Sequence, residues 1–130
     1  MRTVYMDASA VAKLVVREAE SDALRAWLGD RPRLVSSALL RTELLRAVRR
    51  QEPGHFQRAR QVILGIGLHV VDDDVLETAA SLNPLALRTL DAIHLATALR
   101  VVTELDALVT YDGRMVEGAE HLGLPVASPA

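Results

Sequence analysis

The sequence predicts a three-layer α/β sandwich, in which a mainly parallel central sheet is flanked by helices on both faces. Short β-prone runs alternate with segments of helical periodicity along the whole chain, which is typical of βαβ units. A length of 130 residues, with 50% hydrophobic and 25% charged residues, fits one ordinary globular domain with one core. Repeats and linkers are not evident, so we expect a single domain over 1–130.

The elements follow from apolar periodicity and from the residues that interrupt it. The predicted strands are 3–6, 33–36, 68–71 and 107–110, with a possible edge strand at 125–127. The predicted helices are 9–16, 22–28, 38–50, 55–64, one opening at 74, 89–102 and one opening near 113. Ser9 is the expected cap of the first helix, and Asp74 with Glu77 is expected to form a capping box.

Composition excludes several classes of protein. The net charge is −2, so any binding to phosphate must come from a local basic patch. Cysteine is absent, which excludes disulfides and thiolate metal sites. No uncharged run approaches the roughly 18 apolar residues of a membrane span, so we expect a cytoplasmic protein that does not associate with membranes.

Two acids lie just after the ends of predicted strands. Asp7 comes immediately after the first strand, and Asp112 lies two residues after the fourth. Open parallel sheets bind ligands in the crevice beyond the carboxyl ends of their strands, so both side chains are expected to point into that crevice.

Two further acids lie on helices. Glu43 borders the apolar stripe of its helix, so it can face inward. Asp91 forms a polar row with His94 and Thr97 on a helix that is otherwise apolar around most of its circumference. The helix dipole would favour an acid near this helix start, but a carboxylate in apolar surroundings also needs a cation, a donor or access to water.

These four acids together favour a metal site. At ~4 Å and an effective dielectric constant near 20, each pair of carboxylates would repel by about 4 kcal/mol. A divalent cation would relieve this repulsion, and oxygen ligands without cysteine or a histidine pair favour Mg²⁺ or Mn²⁺ over zinc. Hard metals held by carboxylates are the usual machinery of phosphodiester hydrolysis.

Four segments, taken in order, resemble the acidic motifs of PIN-domain ribonucleases, in particular the VapC toxins of bacterial toxin–antitoxin pairs. They are Asp7-Ala8-Ser9-Ala10, Ser37-Ala38 to Glu43-Leu44, Leu90-Asp91-Ala92-Ile93-His94-Leu95-Ala96, and Thr110-Tyr111-Asp112. The resemblance spans nearly the whole chain, and the third segment is its most specific part.

The resemblance implies a PIN-like fold and a Mg²⁺- or Mn²⁺-dependent endoribonuclease acting on structured RNA, such as tRNA or ribosomal RNA. It also implies neutralisation by a cognate VapB-type antitoxin and a homodimer. Carried over by motif, Asp7 and Asp91 would be the main metal ligands and catalytic residues. Glu43 and Asp112 would complete the acidic cluster and help orient the attacking water.

Two other positions are compared with the same family. Ser9 matches the small hydroxyl residue common in the first motif, and we expect it to contact the RNA. Arg114 stands where some relatives carry a further acid, which suggests a phosphate contact there and puts a second tightly held metal in doubt.

The segment 41–60 is the best candidate for contact with the RNA backbone. Its six arginines against two glutamates give a local net charge of +4. Arg46, Arg49 and Arg50 are the arginines that we assign to phosphate contacts. A solvated helix surface, or a contact with the antitoxin, explains the same charges equally well.

The acids also have structural explanations. Asp7 and Asp112 could cap the helices that follow them, and Glu43 could form a helical pair with Arg46. We interpret His94 as a hydrogen-bonded core residue and not as a catalyst.

Two other functions fit the acidic crevice. One is a phosphoacceptor receiver-like switch domain, but such a domain needs a lysine near its last strand, and the only lysine is Lys13. The other is a non-catalytic module whose acidic crevice binds an arginine-bearing peptide.

Overall fold

A computed structural model describes residues 2–130, which form five strands and seven α-helices. The strands are β1 (Thr3–Met6), β2 (Arg33–Ser37), β3 (Gly67–His69), β4 (Ala107–Val109) and β5 (Val126–Ala127). The α-helices are α1 (Ala8–Val15), α2 (Ser21–Leu28), α3 (Leu39–Gln51), α4 (Phe56–Leu64), α5 (Asp73–Ser81), α6 (Thr89–Arg100) and α7 (Gly113–His121). Short 3₁₀ turns precede α4 and follow α6. None of the helices in this range is both long and apolar enough to cross a bilayer.

The sheet is parallel throughout, with the strand order β3-β2-β1-β4-β5. The first strand therefore lies at its centre. Met6 pairs with Val109 on β4, so the residues that follow these two strands emerge side by side at one edge of the sheet. This register places Asp7 next to Thr110 and fixes where a site can form.

Two helical layers cover the sheet. Val4 and Met6 of β1 point to one face, where they are buried with residues of α1, α2, α3 and α4. Tyr5 points to the opposite face, where it is buried with residues of α6 and α7, and α5 packs on α6. This alternation along a strand buried on both faces confirms the predicted three-layer α/β sandwich.

The cap of α1 differs from the prediction. The capping residue is Asp7, whose carboxylate accepts a hydrogen bond from the Ala10 backbone N–H, while Ser9 lies inside the first turn. Asp7 has the extended backbone of a residue that ends a strand, and this is also the conformation an N-cap requires. The prediction that Ser9 caps the helix was therefore wrong.

The predicted capping box at Asp74 was also wrong. The cap of α5 is Asp72, which has an extended backbone and accepts a hydrogen bond from the Val75 N–H. Asp74 lies within the first turn, so its own backbone is already helical. The three consecutive aspartates offer equivalent side chains, and the end of the preceding extended segment decides which one caps.

The ends of two elements were predicted two residues too far along the chain. β3 ends at His69 and not at residue 71, and α6 ends at Arg100 and not at residue 102. At Val101 the backbone leaves the helical region, and a 3₁₀ turn follows.

Candidate active site

Asp7 is the most enclosed acid of the predicted set, with 5% of its surface exposed. Its Oδ1 accepts hydrogen bonds from the Ser9 hydroxyl at 2.6 Å and the Ala10 N–H at 3.1 Å, and its Oδ2 accepts one from the Thr110 hydroxyl at 2.6 Å. Burial raises the pKa of Asp7, and the two hydroxyl donors and the backbone donor oppose that shift. The carboxylate is thus held in one orientation at the end of the central strand.

The two hydroxyls also bind the loop that follows β4. Ser9 Oγ accepts a hydrogen bond from the Tyr111 N–H at 2.9 Å, and Thr110 Oγ1 accepts one from the Asp112 N–H at 3.1 Å. Each hydroxyl thus donates one hydrogen bond to Asp7 and accepts one from the loop, so it acts as donor and as acceptor at the same time. Asp7 is therefore connected to the Tyr111 backbone through the Ser9 hydroxyl and to the Asp112 backbone through the Thr110 hydroxyl.

The C-terminal segment holds the same loop from outside. The Tyr111 hydroxyl donates to the Pro129 carbonyl at 2.6 Å, and the Ser128 hydroxyl donates to the Thr110 carbonyl at 2.6 Å. Together with the parallel pairing of β5 on β4, these bonds fix the chain that carries Asp112.

Asp91 lies in the first turn of α6 and has an unsatisfied oxygen. Its Oδ2 is buried and has no hydrogen-bond partner in residues 2–130. Burial, followed by the charges of Asp112 and Asp7, raises the pKa of Asp91. Buried carboxylate oxygens normally have a partner, so this atom indicates a place where a cation would be favourable.

Glu43 is positioned by a histidine and not by the other acids. Its Oε1 lies 2.6 Å from His94 Nε2, and His94 Nδ1 lies 2.7 Å from the Tyr5 hydroxyl. Tyr5 and His94 are buried, whereas Glu43 is partly exposed. The helical pair with Arg46 considered above is not formed, and the carboxylate of Glu43 contacts His94 instead.

Asp112 caps α7, as its structural explanation proposed. Its Oδ1 accepts a hydrogen bond from the Arg114 backbone N–H at 2.9 Å, while the Arg114 side chain is exposed. The charge of Asp112 also raises the pKa of Asp91, so the two carboxylates interact electrostatically. Capping and a site role are therefore compatible for this residue.

The four acids do not form a closed cage. The charges of Asp112 and Asp7 both raise the pKa of Asp91, whereas Glu43 is turned to His94. Across residues 2–130, no three carboxylate or imidazole groups are gathered closely enough to hold an ion by themselves. Without a cation, like charges are expected to stay apart, and Mg²⁺ commonly binds only one or two carboxylates, with water and phosphate completing its shell.

The basic patch lies on α3, beyond Glu43. Arg46, Arg49 and Arg50 are exposed and line one shallow surface depression. Within the described range, none of the three has a carboxylate within ion-pair distance. Their guanidinium groups are available to an anionic ligand.

Sequence reasoning missed Thr110 and underestimated His94. Thr110 is fully buried and donates to Asp7; it was assigned to the end of the fourth strand, whereas β4 ends at Val109, so Thr110 follows its strand as Asp7 follows β1. His94 was correctly assigned to the core, but its bond to Glu43 joins residues 51 positions apart, and no local pattern encodes such a pairing.

The model of the PIN domain family matches residues 4–120, so the chain belongs to the PIN-domain family. Its relatives include Ribonuclease VapC46 of Mycobacterium tuberculosis, which is 47% identical over 130 residues, covering 100% of both chains. The family match decides against the receiver-like alternative.

Solved structures share the fold at low sequence identity. The Mycobacterium tuberculosis VapC20 structure, described as a Sarcin-Ricin loop cleaving toxin, superposes with a TM-score of 0.75 at 18% identity and covers 97% of this chain and 99% of its own. A toxin–antitoxin complex from Klebsiella pneumoniae gives a TM-score of 0.72 at 19% identity and covers 98% of each chain.

Proposed function

We propose that this chain is an endoribonuclease toxin that hydrolyses phosphodiester bonds in structured RNA, such as tRNA or ribosomal RNA, with Mg²⁺ or Mn²⁺. The observation that carries the proposal is the unpartnered, buried Oδ2 of Asp91, whose pKa is raised by burial and by the charges of Asp112 and the enclosed Asp7. The names of the VapC relatives, which are ribonucleases, support the reaction class.

The side chains fit a hard divalent cation. Asp7 and Asp91 would hold it, with Asp112 and Glu43 completing the acidic cluster, and all four offer oxygen donors. Burial raises the pKa of both Asp7 and Asp91, and at Asp91 the charges of Asp112 and Asp7 add to that effect; a bound cation would favour the ionised form of both carboxylates. When bound, such a metal polarises the scissile phosphate and lowers the pKa of a water nucleophile.

The chain's own groups have separable roles in this proposal. Ser9 and Thr110 hold both oxygens of Asp7 in a fixed orientation, so that the carboxylate does not reorganise during the reaction. Asp112 is fixed by its capping bond in α7, and Glu43 by His94.

The arginines would position the RNA backbone. Arg46 and Arg50 follow Glu43 at i+3 and i+7 on α3, so they extend its helix face by one and two turns. Arg49 borders the same depression, and Arg114 opens α7 next to Asp112. Such contacts fix the register of the substrate and carry no base specificity of their own.

The partners proposed for this site are a cognate VapB-type antitoxin and a second copy of the chain. The toxin–antitoxin complexes among the structural neighbours support an antitoxin partner, and a cytoplasmic location agrees with an RNA substrate. Sedimentation of the chain should show a dimer, and a monomer throughout the micromolar range would contradict the homodimer.

The proposed activity is tested by inducing the chain in cells and mapping new RNA ends. Growth arrest with discrete cuts is expected for the wild type and for Asp30→Asn, an exposed aspartate at the opposite edge of the sheet. Asp91→Asn and Asp7→Asn should abolish both effects. In vitro, EDTA should stop cleavage. Cleavage that persists in EDTA or in the Asp91→Asn variant would refute the mechanism.

Antitoxin binding without cleavage of any cellular RNA would instead favour the non-catalytic peptide-binding module.

A further inference from the structure

A buried hydrogen-bonded row connects the central strand to Glu43. The Tyr5 hydroxyl on β1 contacts His94 Nδ1 on α6 at 2.7 Å, and His94 Nε2 contacts Glu43 Oε1 on α3 at 2.6 Å. Tyr5 is fully buried and His94 is 2% exposed, so water does not compete for the bond between them, whereas the bond to Glu43 is partly buried. The row runs from the core of the protein to the acidic edge.

The direction of one bond in this row follows from donor and acceptor chemistry. An ionised carboxylate has only acceptor oxygens, so the hydrogen between His94 and Glu43 must be carried by Nε2. In a neutral ring, Nδ1 is then the acceptor and receives the Tyr5 O–H. Each member of the row would therefore donate toward the acidic edge.

The row restricts Glu43 more than packing alone would. Glu43 is partly exposed and has a long side chain with several rotamers. The bond to His94 is made through Oε1, and no donor in residues 2–130 bonds Oε2. The histidine therefore selects one rotamer of Glu43 and leaves one oxygen available at the acidic edge.

We propose that His94 is a positioning residue, which donates its Nε2–H to Glu43 and is itself oriented by the Tyr5 hydroxyl, so that Glu43 is held ready for a divalent cation and its RNA substrate. This inference rests on the proposed nuclease function. His94 touches neither substrate nor metal in this role and acts only through Glu43.

Two amide substitutions separate positioning from core packing. In His94→Gln, the side-chain amide can occupy the place of Nε2 and can still donate to Glu43. In His94→Asn, the shorter amide occupies the place of Nδ1 and can reach only Tyr5. Both variants place a polar group in the same buried site, so thermal melts should show comparable folding losses.

Mn²⁺ titration of the metal-free chain, followed by electron paramagnetic resonance, and single-turnover RNA cleavage are the two functional measurements. His94→Asn should weaken Mn²⁺ binding and lower kcat by about 10- to 100-fold, with KM for RNA little changed. His94→Gln should recover most of this loss, and Tyr5→Phe should fall between them. Equal losses in the Asn and Gln variants would overturn the proposal, because core packing alone predicts that result.

A third measurement depends neither on activity nor on the folding of the His94 variants. In the ¹⁵N spectrum of the metal-free wild type, one of the four histidines should carry an exchange-protected proton on Nε2, and Glu43→Gln should shift its resonance. If no histidine has a protected Nε2 proton that responds to Glu43→Gln, the positioning role is refuted. A wild type that neither binds Mn²⁺ nor cleaves RNA, but shows this proton, would refute the proposed function and leave the hydrogen-bonded row intact.

Discussion

Replacing Thr110 by valine should test the connection between Asp7 and the loop after β4. Thr110 is fully buried, donates to Asp7 Oδ2 at 2.6 Å and accepts from the Asp112 N–H at 3.1 Å. Valine has nearly the same shape, so Thr110→Val removes the hydroxyl without opening a cavity. Asp7 would then keep a buried oxygen without its donor, and the Asp112 N–H would lose its acceptor.

The expected loss can be worked out from these two bonds. A hydrogen bond to a charged group contributes about 1.5–3 kcal/mol, and a neutral bond to a backbone N–H contributes about 1 kcal/mol. Thr110→Val should therefore lower the free energy of unfolding by about 2–4 kcal/mol at pH 7. Thr110→Ser keeps the hydroxyl and loses one buried methyl group, which should cost only about 1 kcal/mol.

Urea denaturation followed by the fluorescence of Trp27, the single tryptophan, measures both variants. With a slope of about 2 kcal/mol per molar urea, the midpoint should fall by about 1–2 M for valine and about 0.5 M for serine. RNA cleavage should follow the same order, because the hydroxyl orients Asp7. The reasoning is refuted if valine and serine are equally destabilising, or if valine changes the midpoint by less than serine.

Three further changes test the charges of the site and its surroundings. Asp91→Asn should raise the melting temperature of the metal-free chain by about 2–5 °C at pH 7, because it removes a charge whose buried oxygen has no partner. Adding Mg²⁺ should raise the melting temperature of the wild type and not that of Asp91→Asn in calorimetry. An equal rise in the wild type and the variant would contradict this. In an inactive Asp91→Asn background, Arg46→Gln should reduce the salt dependence of RNA binding by about one phosphate contact, whereas the exposed Arg31→Gln should leave the slope unchanged. The ion pair with Arg100 lowers the pKa of Asp72 to about 2 from 3.8, so its stabilising effect is complete above pH 3.8 and is lost as the pH falls toward 2. Asp72→Asn keeps the capping oxygen and removes only the charge. The difference in urea midpoint between this variant and the wild type should therefore vanish near pH 2. A midpoint difference that does not change with pH would be inconsistent with the Asp72–Arg100 ion pair.

The order and type of the elements could be predicted because their signals are local. The strand over Thr3–Met6 and the buried helix beginning at Thr89 follow from short apolar runs and their periodicity, and the structure confirms both. The alternation of strands and helices then required a parallel sheet with two helical layers. These features need no knowledge of which residues meet in space.

The helix caps could not be chosen from residue type alone. Asp7 and Ser9 are both good capping residues, as are Asp72 and Asp74. The backbone at the end of the preceding extended segment selects Asp7 and Asp72, because only there is the residue extended while the next residues are helical. The cap of α1 was placed two residues too late, so Ser9 was given a capping role. Its hydroxyl instead donates to Asp7 and accepts from the Tyr111 N–H.

The acids of the site were proposed from strand ends and motif resemblance, and their metal roles stay predictions. The partners that orient the acids were less accessible to sequence reasoning. His94 reaches Glu43 across 51 positions, and Thr110 reaches Asp7 across 103. Such pairings depend on strand order and on the distance between helices, which a single sequence does not encode locally.

The bond between Asp7 and Thr110 has a consequence for the protein during its own synthesis. Asp7 leaves the ribosome early, yet the strand and loop that orient it are translated about a hundred residues later. Until β4 and the residues through Asp112 have emerged, the central strand β1 lacks one of its two neighbouring strands, and the crevice is incomplete. A nascent chain would therefore lack an assembled acidic crevice until nearly the whole protein has left the ribosome.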